Sequence, residues 1–260
     1  MSKALVTLAI AILLPMYIYA ADGQVLINQS TLNSAHGTYS ITQPGSYKLT
    51  SNLTARDENT DVIVIAADHV SIDLNGFAIL GPTDCSGGLV PCARAGLGHG
   101  ISIPGATPRF NITIRNGTIQ GMGGAGIRLV GDSNLIEQMH LRSNGGGGAA
   151  ILPSDDNGGS IVQYCTVERN GGNDFAVGLF IVVGLVHHND VILNYAGIAM
   201  NRGTISDNLV DRNLNEGLSM GPIVSYKGNV VHGNGRNISG TGVNQGQNIC
   251  ENAACPGAVF

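Results

Sequence analysis

The chain has 260 residues, of which 43% are hydrophobic and 12% charged, and its 13 basic and 18 acidic residues give a formal net charge of −5. That balance excludes the clustered basic footprint of a nucleic-acid binder, and the apolar fraction excludes a disordered chain in spite of 38 glycines. The glycines are therefore read as turn residues of a packed protein.

The chain opens with a leader. Ser2-Lys3 is a short basic start, Ala4 to Leu14 is apolar, and Tyr19-Ala20-Ala21 offers small residues for cleavage, the layout of a secretory signal peptide. Pro15 interrupts a run too short to cross a bilayer, which takes ~20 apolar residues. Residues 1–20 are thus expected to be removed, leaving a mature chain from near Asp22 with no membrane span. The expected location is secreted, periplasmic or at the cell surface. Five cysteines suit such an oxidising compartment. Cys85 with Cys92, and Cys250 with Cys255, are each close enough to clip a small loop as a disulfide, and Cys165 is left over as a buried hydrophobe.

Residues 21–60, with Tyr39, Ile41, Tyr47, Leu49 and Leu53, read as an N-terminal cap and first partial coil. A coil follows in Val62-Ile63-Val64-Ile65, Val70-Ser71-Ile72-Asp73-Leu74-Asn75-Gly76 and Ile79. After a Gly-rich insertion over 81–98, another comes from Ile101, Ile103 and Ile112 to Ile119. From there a phrase recurs: Leu141-x-x-Asn144, Val167-x-x-Asn170, Val191-x-x-Asn194, Val210-x-x-Asn213 and Val231-x-x-Asn234, with steps of 26, 24, 19 and 21 residues. Eight positions before each Asn lie Ile136, Val162, Val186, Ile205 and Tyr226, and five before lie Met139, Cys165, Asn189, Asn208 and Asn229. After it comes a Gly-apolar segment such as Gly126-Ile127-Arg128-Leu129 or Gly197-Ile198-Ala199-Met200.

Three short alternating segments in each coil of ~22 residues predict strands of a solenoid. Leucine-rich repeats need a leucine-dense consensus, and propeller blades need ~40 residues. The fold expected is all-β: a single-stranded right-handed parallel β-helix of seven to nine coils over 61–249, with a cap at each end, the second being the tail 250–260. Asn189, Asn208 and Asn229 are expected to stack as a structural ladder at the ~4.8 Å strand spacing.

The passage Gly45-Ser46-Tyr47-Lys48-Leu49-Thr50-Ser51-Asn52-Leu53, with Val70 to Gly76, resembles the opening of secreted bacterial right-handed β-helix repeat proteins of the pectate-lyase-like superfamily. The resemblance implies a substrate lying along one strand row and its adjoining turns. In this chain that row is read as Ser102, Arg128, Leu152, Phe180, Ala199 and Ser219, and the turns add Asp132, Asp155, Asp156, Asn157, Asn201 and Arg202. The chemistry implied is β-elimination on an acidic polysaccharide. Arg128 is the candidate catalytic base, and Arg202, Asn201, Ser102 and Ser219 are candidate substrate contacts. Asp132, Asp155 and Asp156 are hard oxygen ligands of the kind calcium takes. The expected partner is an extracellular polysaccharide, met by a monomer. The alternative is a non-catalytic cell-envelope structural or adhesion module, in keeping with the small and apolar residues in much of the row. His99 and Glu216 are placed in turns bordering the row.

Two further expectations concern surface groups. His187 and His188 are neighbours on a strand and should diverge to opposite faces. Arg142 with Glu168, and Asp211 with His232, should pair across adjacent coils at ~0.2–1 kcal/mol each. Five Asn-x-Ser/Thr sequons (Asn28, Asn52, Asn111, Asn116 and Asn237) are read as accidents of an Asn- and Thr-rich repeat, the alternative being glycosylation of the exposed ones in a eukaryotic secretory host.

Overall fold

The computed structural model of the protein describes residues 23–84, 96–154, 158–171, 176–251 and 253–255. The leader, the Cys85–Cys92 clip, Asp155, Asp156 and Asn157 lie outside the described residues. The chain winds into a right-handed parallel β-helix of about 10 turns, ~22 residues each. This slightly exceeds the expected seven to nine coils. The reason lies at the start: Gln24–Ile27, Tyr39–Ile41, Gly45–Leu49 and Leu53–Thr54 already pair in parallel with strands further along, so they are rungs of the helix. One short helix, Gln29–Ser34, interrupts them. A capping box between Asn28 and Thr31 fixes its first turn, and Leu32 plugs the core completely buried.

Three parallel faces result. The first runs through Tyr39–Ile41, Ile63–Ile65, Ile101–Ser102, Ile127–Val130 and Ala149–Leu152. It continues in the opening halves of Val177–His187, Ala196–Ser206 and Glu216–Lys227. Its inward column, Ile63, Ile101, Ile127, Ala149, Leu179, Ile198 and Leu218, is at most 1% exposed. On the second face, outward residues in register alternate in charge: Lys48, Asp73, Arg115 and Glu137. Arg115 approaches Asp73 at 3.5 Å. On the third face the expected pairs form, with Arg142 Nε 3.6 Å from Glu168 and His232 Nδ1 2.7 Å from Asp211.

Two asparagine ladders hold the turns. The expected one joins Asn189, Asn208, Asn229 and also Asn248: each Nδ2 donates to the next Oδ1 at 2.9–3.0 Å. The repeated Asn that sets the period builds a second, through Asn144, Asn170, Asn194, Asn213 and Asn234, at 2.8–3.1 Å. Each rung's backbone N–H donates to the same Oδ1. Each Nδ2, from Asn144 to Asn234, also donates to a strand carbonyl of the preceding rung. An amide is suited to this because it carries two donors and an acceptor that accepts twice. The residue before each Asn bends the chain inward from the left-handed region: Ser143, Arg169, Leu193 and Arg212 have φ of 50–57°. That conformation costs about 1–2 kcal/mol at a non-glycine residue, and the buried bonds it sets up offset the cost.

Cys165 takes the first ladder's place one rung early, buried, its backbone N–H donating to Asn189 Oδ1 at 3.0 Å. Burial pushes its thiol up to about 12. At the far end Cys250 and Cys255 form the expected disulfide, and Ile249–Cys250 pairs antiparallel with Ala253–Ala254.

Candidate functional site

The outward column of the first face reads Ser40, Val64, Ser102, Arg128, Ala150, Phe180, Ala199, Ser219 and Ser239. The expected row is therefore correct except at one rung, where Ala150 replaces Leu152. The strand begins directly after Gly148, two residues earlier than that reading places it, so Ala150 pairs with Arg128 and Leu152 sits opposite Val130.

Ser102 and Arg128 lie side by side at the polar end of this column. Asp61, entering the strand Ile63–Ile65, completes the group. Ser102 Oγ donates to Asp61 Oδ2 at 2.6 Å, and the His99 backbone N–H donates to Oδ1 at 2.7 Å. Thr38 Oγ1 donates to the Asp61 carbonyl at 2.8 Å. The carboxylate is thus fixed by charge-assisted bonds, with Ser102, 1% exposed, as its positioning residue. The His99 ring is fixed as well: its Nδ1 lies 2.9 Å from the Ala125 backbone nitrogen and 3.3 Å from the Ala125 carbonyl oxygen. The ring lies against Gly124, where an added Cβ would come within 2.8 Å of it.

Thr38, Asp61, Leu97, His99, Ser102 and Arg128 line an open cleft of about 540 Å³. Its wall is the segment leaving the insertion, pinned to the opposite turn by Leu97 N–H to Asn59 Oδ1 at 3.2 Å and Gly98 N–H to the Glu58 carbonyl at 2.9 Å. Arg128 crosses the floor, with Nη1 donating to the Ile103 carbonyl at 3.3 Å. A fixed carboxylate, a guanidinium and an imidazole in one cleft can bind hydroxyl and carboxylate groups together.

The other sequence-derived candidates are spread along the solenoid. Ser219 is four rungs from Arg128, ~19 Å at the strand spacing. Asn201 and Arg202 are exposed beside a bulge on the strand Ala196–Ser206, three rungs away. Asp132 is 6% exposed, and its carboxylate accepts from the Ser154 backbone N–H and hydroxyl, which gives it a turn-holding role. Among the described residues no three His, Cys, Asp or Glu side chains converge to hold a metal ion. Asp61 was not singled out from sequence, because the insertion hides that residues 61 and 99–102 are adjacent rungs.

The two imidazoles of His187 and His188 do not diverge. His188 has φ of +55°, which takes it out of the strand and swings its ring back beside that of His187. The two Nδ1 atoms are 2.7 Å apart.

Fold and cleft together define a right-handed parallel β-helix protein of the pectate-lyase-like architecture with a polar cleft near its N-terminal end. No protein-family profile matches the chain, and no characterised protein matches it in sequence. Solved structures match its fold. The periplasmic alginate epimerase AlgG aligns with a TM-score of 0.52 and 15% identity, over 87% of this chain and 55% of that one. The Dettilon tailspike protein gp208 aligns with a TM-score of 0.51 and 15% identity, over 81% of this chain and 42% of that one. The chain spans about half the length of these proteins, and at such identity the likeness establishes the fold. Among the described residues no helix is long and apolar enough to cross a membrane.

Proposed function

We propose that this protein binds an acidic polysaccharide outside the cytoplasm, in the cleft formed by Asp61, His99, Ser102 and Arg128. The observation that carries the reading is that a guanidinium and a fixed carboxylate share one open cleft on a strand face. Arg128 would meet a uronate carboxylate, for which its planar fork is suited, while Asp61 and His99 would accept from and donate to sugar hydroxyls. An alginate epimerase with the same fold is consistent with a uronate-containing partner. Turnover by β-elimination is the further step: Arg128 as base takes the proton alpha to the uronate carboxylate, the C4–O bond breaks as the C4=C5 double bond forms, and solvent protonates the leaving oxygen, while a bound cation would neutralise the carboxylate.

One observation favours the alternative of a non-catalytic envelope or adhesion rod. Beyond Arg128 the outward column is Ala150, Phe180 and Ala199, which offers a sugar chain little to hydrogen-bond. A screen of the mature protein against acidic polysaccharides, with and without calcium, separates the readings. Ultraviolet absorbance reports unsaturated product, and a glycan array reports binding. Calcium-dependent product establishes a lyase. Binding without product leaves a recognition module. Failure to bind any acidic glycan overturns the proposal and favours the rod.

A further inference from the structure

We propose that His187 and His188 form a two-histidine site for a transition-metal ion of tetragonal geometry, copper(II) foremost. The site lies on a different corner of the solenoid from the cleft and is independent of the reading given for it.

The argument begins with the backbone. His187 ends the long strand Val177–His187, and His188 turns the chain with a left-handed φ of +55°. The buried ladder holds both residues from below. Asn189 Nδ2 donates to the His187 carbonyl at 2.9 Å and to Asn208 Oδ1 at 3.0 Å, and the His188 N–H donates to the Ser206 carbonyl at 3.3 Å. The rings are held from the side by Tyr164, one rung earlier in the same corner. Its ring stacks on His188 with centroids 5.2 Å apart and 28° between planes, and meets His187 edge-on at 5.9 Å. The convergence is therefore preorganised.

Two neutral imidazoles with facing Nδ1 atoms have two arrangements open to them. Either one Nδ1–H donates to the other nitrogen, or both rings take the Nε2–H form and both Nδ1 lone pairs face a cation. The second needs no net proton loss from a neutral pair. Asp207 occupies the next rung of the same corner and gives the site a negative neighbour.

The spacing selects the metal. With metal–nitrogen bonds of about 2.0–2.1 Å, nitrogens 2.7 Å apart subtend about 80° at the ion. That is near the right angle between adjacent ligands of a tetragonal centre, whereas a tetrahedral zinc site would need the nitrogens about 3.3 Å apart. Copper(II) prefers tetragonal nitrogen and oxygen ligands and binds most tightly among the divalent first-row ions. Water would fill the remaining positions, since no third His, Cys, Asp or Glu converges here among the described residues.

The test is a copper(II) titration of the mature protein, made without a polyhistidine tag, against a competing chelator, with electron paramagnetic resonance of the one-equivalent complex. The expected result is one ion per chain with a tetragonal spectrum split by two equatorial nitrogens. His187→Gln and His188→Asn should each weaken binding about tenfold or more, the least that losing a direct ligand should cost. Asn is used at 188 because it tolerates the left-handed backbone, and circular dichroism checks that both variants keep the fold. His140→Gln, on another face, should leave the affinity unchanged. Unaltered affinity in the 187 and 188 variants, or no stoichiometric ion in the parent protein, would overturn the proposal.

Discussion

The rungs that carry the cleft and the rungs that follow them are made by the same winding and share one strand face, yet they differ in what they expose. From Asn144 to Asn234 the turns are nearly uniform. Each has a left-handed residue and an Asn, buried from Asn144 to Asn213 and half-buried at Asn234, and each of the first four bonds to the next, while the outward column above them is small or apolar. Between Thr38 and Arg128 the uniformity breaks. A long insertion separates adjacent rungs, its exit supplies a wall, and Asp61 and His99 are brought against Ser102 by bonds specific to that place. Repetition makes the rod rigid, and the departure from repetition makes a site.

The largest expected contrast lies inside the regular rungs. Burial raises the Cys165 thiol from 9.0 to about 12, so its thiolate fraction at mildly alkaline pH should be about a thousandfold below that of an ordinary cysteine. Alkylation of the folded protein should leave Cys165 unmodified, while denatured protein should react at once. Rapid labelling of the native state would mean that these rungs open easily.

Asn194→Ala is the next step down. It strands the Asn170 N–H and Nδ2 and the Val167 carbonyl together, and should cost about 3 kcal/mol or more in urea unfolding. Ser219→Ala, on the outer column, should stay within about 0.5 kcal/mol. Equal effects would erase the distinction between ladder and surface.

At the irregular end, Gly124→Ala should displace both the Leu97 backbone carbonyl and the His99 ring, which its Cβ would approach to 2.7 and 2.8 Å. We expect affinity for an acidic glycan to fall about tenfold, as misplacement by about an ångström at a site can do, with the melting temperature also lowered by the strain in that wall. The smallest effect concerns pH. His187 has a folded pKa below the 6.5 of the free side chain, so the unfolded chain takes up protons first as pH falls. Stability should therefore hold above about pH 6.5 and decline below it. His187→Gln should flatten that decline in thermal melts recorded between pH 8 and 5.

The sequence shows the rod far better than the site. Aligning Leu141-x-x-Asn144 with its successors places the strands, the inward aliphatic columns and the Arg142–Glu168 and Asp211–His232 pairs, because each depends only on the period. It places Arg128 beside Ser102 for the same reason. Asp61 escapes it, since residues 61 and 102 become adjacent only when the insertion is folded aside. The histidine pair escapes it for another reason. Strand alternation predicts divergence, and the left-handed turn at His188 overrides it, although Asn189 at the ladder position was a visible signal that the residue before it must turn.

The most direct measurement is a calorimetric titration of one acidic oligosaccharide into the parent protein, Arg128→Ala and Arg202→Ala, with thermal melts confirming that all three are folded. If the cleft is the binding site, Arg128→Ala should lose about tenfold or more in affinity, as for a bidentate charged contact, and Arg202→Ala should bind as the parent does. Equal losses in the two variants, or none in Arg128→Ala, would contradict the assignment and place binding elsewhere on the solenoid.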